Sequence, residues 1–266
     1  MQSEIDEGEL RKMTPREFRN LVREERWTGS SVNACRGSVQ ANLVIVRRDL
    51  AFEFLQFCIR NPRPCPVLEV GDPGDPYSKL VAPGADIRTD LAGYRVLENG
   101  GCIAELTNIK EYWKDDYVFF LLGCSVSFDW LLQAADIQYR FTGGYKSNIQ
   151  CVPAGRFTGH MVVTCRLFSG SQNAIRAVEI TSRYPRVHGG PLHMGDPKDI
   201  GITDIRDPLT PTSSSAIEPI KADEVPLFWA CGVTPQNIAE EAKIPLMITH
   251  GTGRPFVTDW LTTDLT

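Results

Sequence analysis

The sequence lacks the patterns by which several kinds of functional site are recognised. Its eight cysteines form no CxxC pair, its four histidines form no HExxH segment, and no other spacing dictates a set of metal ligands. We therefore expect no required cofactor. A divalent metal stays open as an alternative, with ligands drawn from His188, His193, His250, Asp196 and Cys231.

Targeting signals and long apolar runs are also missing. The N-terminus, MQSEIDEGELRK, is acidic and has no apolar stretch, which is unlike a secretory signal or a transit peptide. No apolar run is long enough to span a bilayer. We therefore expect a cytoplasmic protein that does not act at a membrane, with its cysteines kept as reduced thiols.

Basic clusters are scarce as well. The net charge is −5, and no group of lysines and arginines alternates with aromatic residues. This pattern excludes a dedicated nucleic-acid surface, so the expected partner is a small molecule. Assembly into a homo-oligomer is left open.

What the chain does have is the composition of a folded protein. Hydrophobic residues make up 42% of it and charged residues 23%, which is typical of soluble globular proteins. A chain of 266 residues can bury one large core or divide into two coupled domains.

Local patterns predict an α/β fold. The segment TPREFRNLVREERW begins with a capping box at Thr14 and Glu17, so a helix is expected there. QANLVIV (40–46) is typical of a buried strand, and Asp49 is expected to cap the helix after it. YRVLENGGCIAEL (94–106) contains the Asn-Gly signal of a hairpin.

The order of these segments gives the predicted architecture, an α/β class with a three-layer sheet framework and a smaller inserted α+β domain. The main domain is placed at residues 1–92 and 168–266, and the hairpin-rich insert at 93–167. The strand–helix unit at 117–135 is left open to either domain. The Pro/Ser-rich segment 208–219 is predicted to be a surface loop.

Three apolar strands end in the same way, at a glycine or a polar break. YVFFLL is followed by GCSVSF, PLFWAC by GVTP and LMIT by HGTG. In an open α/β sheet, ligands bind at the carboxyl ends of parallel strands, near helix starts that attract anions. We expect the three ends to belong to one sheet, so Gly123–Ser127, Cys231 and His250 are predicted to face one cavity.

The stretch RYPRVHGGPLHMGDP (183–197) is predicted to be a shaped loop. Its paired glycines can adopt positive φ angles, so a compact turn can point His188 and His193 into one cavity. Asp196 is expected to cap the short helical turn that follows it. We interpret the stretch as a catalytic loop; the alternative is a surface turn that uses histidine only structurally.

Longer blocks of the sequence resemble the D-glutamate cyclase family. The blocks are GCSVSFDW, YKSNIQCVPAGRFTGHMVVTCR, ITSRYPRVHGGPLHMGDPKDIGI, VPLFWACGVTPQ and ITHGTGRPFVTD, and the likeness covers nearly the whole chain. The resemblance implies an α/β fold with a smaller inserted domain. It also implies a hydro-lyase that converts D-glutamate to 5-oxo-D-proline with loss of water.

The chain departs from the family pattern inside these blocks. Val126 and Asp129 stand where the family usually has a bulkier aromatic residue and a glutamate, and Arg254 replaces a histidine. Further departures are His160 for a proline and Lys146-Ser147 for Arg-Thr. A related amino or hydroxy acid is therefore kept as an alternative substrate.

Cyclisation of glutamate requires a base, an acid, and donors for the carboxylate and the developing oxyanion. Histidine suits proton transfer because its ordinary pKa, about 6.5, lies near working pH. The candidate catalytic residues are therefore His188, His193 and His250, with Asp196 as an acid or as the orienter of a histidine. A structural hydrogen-bonding role is the alternative for each histidine.

Candidate substrate-binding residues surround the strand ends and would hold a small-molecule carboxylate. The turn after YVFFLL is interpreted as an anion cradle; the alternatives are a covalent nucleophile at Cys124 and a tight turn with a buried thiol. Arg166 is expected to clamp a carboxylate through its guanidinium fork, with an ordinary ion pair as the alternative. The full predicted set is Gly123, Cys124, Ser125, Ser127, Asn148, Arg166, Cys231 and Thr249.

Three functions fit these residues. The first is a lyase that forms a lactam from an amino dicarboxylate. The second is a dehydratase or hydratase of a related hydroxy or amino acid. The third is a non-catalytic metabolite-binding protein that uses the same pocket.

Overall fold

The computed structural model describes residues 5–209 and 217–266. Over these residues the chain has six α-helices, eleven β-strands and four short 3₁₀ turns. The helices are α1 (Glu7–Lys12), α2 (Pro15–Arg23), α3 (Arg48–Arg60), α4 (Val126–Ala134), α5 (Ser171–Thr181) and α6 (Thr234–Glu241). The strands are β1 (Ser38–Arg47), β2 (Val67–Val70), β3 (Tyr94–Glu98), β4 (Gly101–Leu106), β5 (Tyr117–Gly123), β6 (Tyr139–Gln150), β7 (His160–Ser169), β8 (His193–Met194), β9 (Glu224–Ala230), β10 (Leu246–His250) and β11 (Phe256–Leu261).

Seven strands form the larger sheet, in the order β2-β5-β1-β10-β3-β4, with β11 also paired to β1. The described pairings are antiparallel. Because β5 and β10 are both antiparallel to β1, they run in the same direction. Their carboxyl ends, Gly123 and His250, therefore lie at the same edge of the sheet.

Both faces of this sheet are buried at its centre, because β1 and β5 are buried at nearly every position. Alternate residues of a strand point to opposite faces, so one apolar strand contributes side chains to two hydrophobic clusters. Leu43 packs in a cluster with Phe128 of α4, whereas Val44 packs in another with Phe54 of α3 and Ile238 of α6. This layered arrangement confirms the predicted α/β class.

The smaller sheet has the order β6-β7-β9-β8 and is also antiparallel. The two sheets do not follow the expected domain boundaries. Within residues 93–167, β3, β4 and β5 belong to the larger sheet, and β6 and β7 belong to the smaller one. The expectation that β5, β9 and β10 share one sheet is wrong, because β9 pairs with β7 through a long-range contact that no local pattern encodes.

Short-range predictions hold where caps and turns decide the structure. The capping box is formed, with the Glu17 N–H donating to Thr14 Oγ1 at 3.3 Å and the Thr14 N–H donating to Glu17 Oε2 at 2.8 Å. Asn99 and Gly100, with φ angles of 48° and 85°, form the turn of the β3–β4 hairpin. Asp49 does not cap α3, because that helix begins one residue earlier, after Arg47.

Two further expectations concern particular segments. Residues 210–216 of the predicted surface loop lie outside the described residues. None of the helices in the described ranges is long and apolar enough to cross a membrane.

Candidate active site

A cavity of about 500 Å³ is lined by β1, by the ends of β5, β9 and β10, and by the start of β6. This volume is in the range of small-molecule sites. Its polar lining includes Ser38, Gln40, Asn42, Cys124, Ser125, Asp129, Tyr139, Thr164, Cys231, Gln236 and His250. The three predicted strand ends do face one cavity, through Cys124, Ser125, Cys231 and His250, although they come from two sheets.

Three polar residues of β1 form one wall of the cavity. Ser38, Gln40 and Asn42 are 7%, 3% and 2% exposed. They occupy alternate positions, so they share one face of the strand. Sequence reasoning missed these residues. Polar side chains at every second position of an otherwise apolar strand are the signal that would have identified them.

The Gln40 side chain has a fixed orientation. Its Nε2 donates to three backbone carbonyls, those of Ser31 at 2.9 Å, Val32 at 3.2 Å and Ala34 at 3.3 Å. Its Oε1 is buried and has no hydrogen-bond partner within residues 5–209 and 217–266. A buried acceptor left without a donor is uncommon in folded proteins and points to a missing partner.

The turn after β5 is shaped by close packing. A Cβ atom at Gly123 would lie 1.9 Å from the carbonyl oxygen of Arg186, so only glycine fits there. The N–H groups of Gly123 and Cys124 both donate to backbone carbonyls, and Ser127 Oγ accepts from the Gln40 N–H at 2.9 Å. Gly123 and Ser127 do not line the cavity. In the structure these two residues position the turn, and their predicted contact with substrate stays a prediction.

Within the predicted anion cradle, Ser125 is the residue whose hydrogen-bond donors are not used by the described part of the protein. It precedes α4 and makes no side-chain capping bond. In the part of the chain that the structure describes, its backbone N–H has no acceptor either. The residue lines the cavity, and the N-terminus of a helix attracts anions. Ser125 can therefore donate to a carboxylate.

Cys124 and Cys231 line the cavity as protonated thiols. Burial raises the pKa of Cys124 to about 12 and that of Cys231 to about 11. Because the thiolate is the nucleophilic form, the covalent alternative for Cys124 is disfavoured. The Cys231 sulfur accepts from the Val233 N–H at 3.5 Å, so this thiol also shapes the start of α6.

His250 lies at the end of β10 and borders the cavity while being only 4% exposed. Burial lowers its pKa to about 4, against the opposing effect of a hydrogen bond to the Leu43 backbone. The imidazole is therefore neutral at pH 7. Nδ1 is buried and lacks a partner among the described residues. A neutral imidazole keeps a lone pair on one ring nitrogen, so His250 can accept a proton.

The Arg166 guanidinium does bind a carboxylate through two hydrogen bonds, but that carboxylate is the side chain of Asp129. Its Nε and Nη2 donate to the two carboxylate oxygens of Asp129 at 2.8 and 2.9 Å. Asp129 lines the cavity and also accepts from the Tyr139 hydroxyl at 3.1 Å. Arg166 is 1% exposed and does not line the cavity. The geometry fits the ordinary ion pair that was the alternative for Arg166.

The 183–197 segment lies behind the cavity. His188 is fully buried, and its Nδ1 donates to the Arg63 carbonyl at 2.7 Å. The Arg63 guanidinium donates in turn to the Gly190 carbonyl, so the two chain segments are locked together. Burial lowers the pKa of His188 to about 4, yet the residue does not line the cavity. Its predicted catalytic role is not supported.

His193 and Asp196 stabilise the same segment locally. His193 belongs to the two-residue strand β8, which pairs with β9, and its ring packs 5.6 Å from that of Phe228. Its Nε2 lies 2.9 Å from the Asp196 carbonyl oxygen. The Asp196 carboxylate caps the next turn, as expected, by accepting from the Lys198 N–H at 2.9 Å. Neither residue lines the cavity, so the structure does not support a catalytic role for either one.

The last two predicted substrate-binding residues also lie elsewhere. Asn148 is exposed on β6, and Thr249 is buried within β10 with its hydroxyl donating to the His250 carbonyl at 3.3 Å. Neither lines the cavity. Across the described ranges, no group of three or more His, Cys, Asp and Glu side chains is placed to hold a metal ion.

The fold and the cavity together define an α/β protein with a cavity of small-molecule size and a neutral imidazole in its wall. A family model described as D-glutamate cyclase matches residues 118–259. Together with the relatives described next, this match shows that the chain belongs to the D-glutamate cyclase family.

Three bacterial relatives, each named "Putative hydro-lyase", match nearly the full chain. The protein from Bacillus licheniformis is 50% identical, with 94% of this chain and 96% of the relative covered. The protein from Geobacillus kaustophilus is 47% identical, covering 93% and 94%, and that from Bacillus subtilis is 46% identical, covering 93% and 96%. Among solved structures, a nitrogen repressor-like protein from Methanococcus jannaschii aligns over 88% of this chain and 91% of its own. Its TM-score of 0.39 and 11% identity are too low to carry an argument.

Proposed function

We propose that the protein is a hydro-lyase that cyclises D-glutamate to 5-oxo-D-proline with loss of water. Support comes from the family to which the chain belongs and from relatives named as hydro-lyases. The observation that carries the proposal is His250, a neutral imidazole that borders a cavity of small-molecule size and whose Nδ1 has no partner in the described part of the chain.

The reaction joins the amine to the side-chain carboxyl carbon of the same molecule. A C–N bond forms, a C–O bond breaks, and the oxygen leaves as water. The ammonium nitrogen loses two protons as it becomes the lactam N–H, and the departing carboxylate oxygen gains two as it leaves as water. The His250 imidazole accepts these protons one after the other and returns each to the departing oxygen, so one residue serves both transfers. The pKa of about 4 applies to His250 in the protein without a bound substrate. A substrate carboxylate beside the imidazole favours its charged form and raises that pKa toward working pH.

The carboxylate of the substrate is held at the start of α4. Ser125 lines the cavity at the positive end of the helix, and its N–H and hydroxyl are the donors that we assign to the carboxylate. Arg36 lines the exposed rim and adds a positive charge that attracts a dicarboxylate. The buried cation Arg166 adds little, because Asp129 neutralises it.

The test is to incubate the purified protein with D- and L-glutamate, D- and L-aspartate and both enantiomers of 2-hydroxyglutarate, and to follow the products by mass. We expect D-glutamate alone to lose the mass of one water. Loss of water from a hydroxy acid, with solvent deuterium entering at its α-carbon, would support a dehydratase instead. A compound that raises the melting temperature but is recovered unchanged would support a metabolite-binding protein.

A further inference from the structure

Two residues of the cavity wall each carry a buried polar atom that lacks a hydrogen-bond partner among the described residues. These atoms are Gln40 Oε1 and His250 Nδ1. Their side chains belong to neighbouring strands, β1 and β10, of the same sheet. Since buried polar atoms are nearly always paired, two such atoms in one cavity indicate a ligand that supplies the donors.

The identity of the free atom is secure for Gln40. Amide oxygen and nitrogen are normally assigned from the hydrogen-bond network. The other atom of this amide faces the carbonyls of Ser31, Val32 and Ala34, which can only accept. That atom must therefore be the nitrogen, so the unpaired atom of the Gln40 amide is the oxygen.

His250 supplies the second unpaired atom. Its Nδ1 is buried and has no partner among the described residues, and one nitrogen of the neutral ring is an acceptor. Gln40 and His250 thus form a region of the cavity lining whose acceptors need donors from a ligand. Ser125, at the start of α4, forms a second region that can donate hydrogen bonds.

We propose that Gln40 is the residue that recognises the primary amine of the substrate, by accepting an N–H through Oε1 while His250 faces a second N–H of the same nitrogen. This assignment deepens the proposed function and rests on it for the choice of cavity. A primary ammonium has three N–H donors and can satisfy both acceptors at once. A hydroxyl group has a single donor, and a carboxylate has none.

The segment 30–34 keeps Gln40 in this orientation. Ser31 donates through its Oγ to the Pro255 carbonyl at 2.7 Å and through its N–H to the Gly253 carbonyl at 3.0 Å. The carbonyls that hold the Gln40 amide are therefore themselves anchored to the chain just after His250. An amide held this way selects for donors on the ligand, because it cannot rotate to offer its own N–H to an anion.

The test is a cycle of binding measurements in which the amine and the Gln40 amide are each removed. D-Glutamate is compared with glutarate, the same dicarboxylate without its amine, by calorimetry on wild-type protein and on Gln40→Met. We expect wild-type protein to prefer D-glutamate, and Gln40→Met to weaken D-glutamate binding by about 10- to 100-fold. Glutarate affinity should change by less than about 3-fold, since it makes no bond that the variant lacks.

Gln150→Met is the matched control. The Gln150 amide also donates to a backbone carbonyl, that of Gly159 at 2.9 Å, but the residue does not line the cavity. We expect this variant to bind both ligands as the wild type does. An equal loss of both ligands in Gln40→Met would overturn the proposal, because Gln40 would then only shape the cavity. Wild-type protein that binds glutarate as tightly as D-glutamate would overturn it too.

A ligand series on wild-type protein keeps the proposal testable if Gln40→Met does not fold. N-Methyl-D-glutamate retains two N–H donors and its charge, whereas N,N-dimethyl-D-glutamate retains one donor and the same charge. We expect the second methyl group to cost about 10-fold or more beyond the first. Equal affinity for the two would contradict recognition by two acceptors. Binding that follows this pattern without any loss of water would contradict the proposed reaction but leave the Gln40 assignment in place.

Discussion

Two buried histidines of this protein share an electrostatic state and differ in what they face. His188 and His250 are both almost completely buried, and burial lowers the pKa of each to about 4. Each has one ring nitrogen bonded to a backbone carbonyl and one that lacks a partner among the described residues. Only His250 borders the cavity. A lowered pKa therefore reports burial, and access to a ligand has to be established separately.

The comparison is tested most strongly by replacing each histidine with the amide that keeps its bonded nitrogen. In His250→Gln, the amide nitrogen can still donate to Leu43, but the proton acceptor is gone. We expect turnover to fall by about 10²- to 10⁴-fold, with a melting temperature close to that of the wild type. The measurement is the turnover number on whichever compound of the panel loses water.

His188→Asn is the control for that variant. Asparagine can donate to the Arg63 carbonyl from nearly the position of Nδ1, and it tolerates the left-handed backbone at this site, where φ is 80°. We expect its turnover to stay within about 3-fold of the wild type, because the residue does not face the cavity. Equal losses in the two variants would contradict the division of roles between the histidines.

Arg166 is a third buried ionisable group, and unlike the two histidines it keeps its charge. Its fork is filled by Asp129, and the Asp129 side chain is 22% exposed whereas that of Arg166 is 1% exposed. We expect Asp129→Asn to lower the free energy of unfolding by about 3–5 kcal/mol, since it leaves a buried charge without its partner. Denaturant unfolding measures this effect.

An exposed pair of the same chemistry provides the control. Arg206 and Asp204 also make close contacts, but their side chains are 60% and 43% exposed. Asp204→Asn should therefore lower the free energy of unfolding far less than Asp129→Asn does, because water screens the exposed pair. A similar cost in the two variants would mean that burial does not govern the Asp129–Arg166 pair.

The two histidines also predict how stability depends on pH. In the unfolded chain each titrates near 6.5, whereas in the folded protein the pKa is about 4. Between these values the unfolded state takes up a proton that the folded state does not. The free energy of unfolding therefore falls as the pH drops from 6.5 to 4, by up to about 3 kcal/mol for each histidine, and this contribution stops changing below 4.

His188→Asn isolates one of the two contributions. We expect the difference in unfolding free energy between wild type and variant to shift by up to about 3 kcal/mol over that pH window, with the variant losing less on acidification. Carboxylates that titrate in the same range cancel in this difference. A constant difference from pH 7 to pH 4 would mean that His188 is not held neutral in the folded protein.

The parts of the fold that were predictable from the sequence are those that local chemistry decides. The capping box of α2 and the Asn99-Gly100 hairpin depend on residues within a few positions of one another. The breaks after β5 and β10 also mark one end of the larger sheet correctly, because both strands flank β1. Membership of β9 in the smaller sheet depends on its pairing with β7, far away in the chain, and no local pattern carries that information.

The residues of the candidate site also divide into those that the sequence predicted and those that it did not. Cys124, Ser125, Cys231 and His250 were found from the strand ends, whereas the three-residue polar face of β1 was missed inside an apolar run. The 183–197 segment has the composition of a site loop, but its two histidines do not line the cavity. His188 is bonded to the Arg63 carbonyl, and His193 belongs to the strand that pairs with β9.

The smallest expected effect belongs to His193, and it separates the two regions most directly. The side chain is 18% exposed, its Nε2 contacts the Asp196 carbonyl, and its ring packs on Phe228. Removing it in His193→Ala loses one hydrogen bond and one ring contact, which together stabilise by about 1–2 kcal/mol. We expect a small fall in melting temperature and a turnover number within about 2-fold of the wild type, since β8 lies outside the cavity wall. A turnover loss of about 100-fold at an unchanged melting temperature would return the 183–197 segment to the catalytic machinery, and His250 would then no longer act alone.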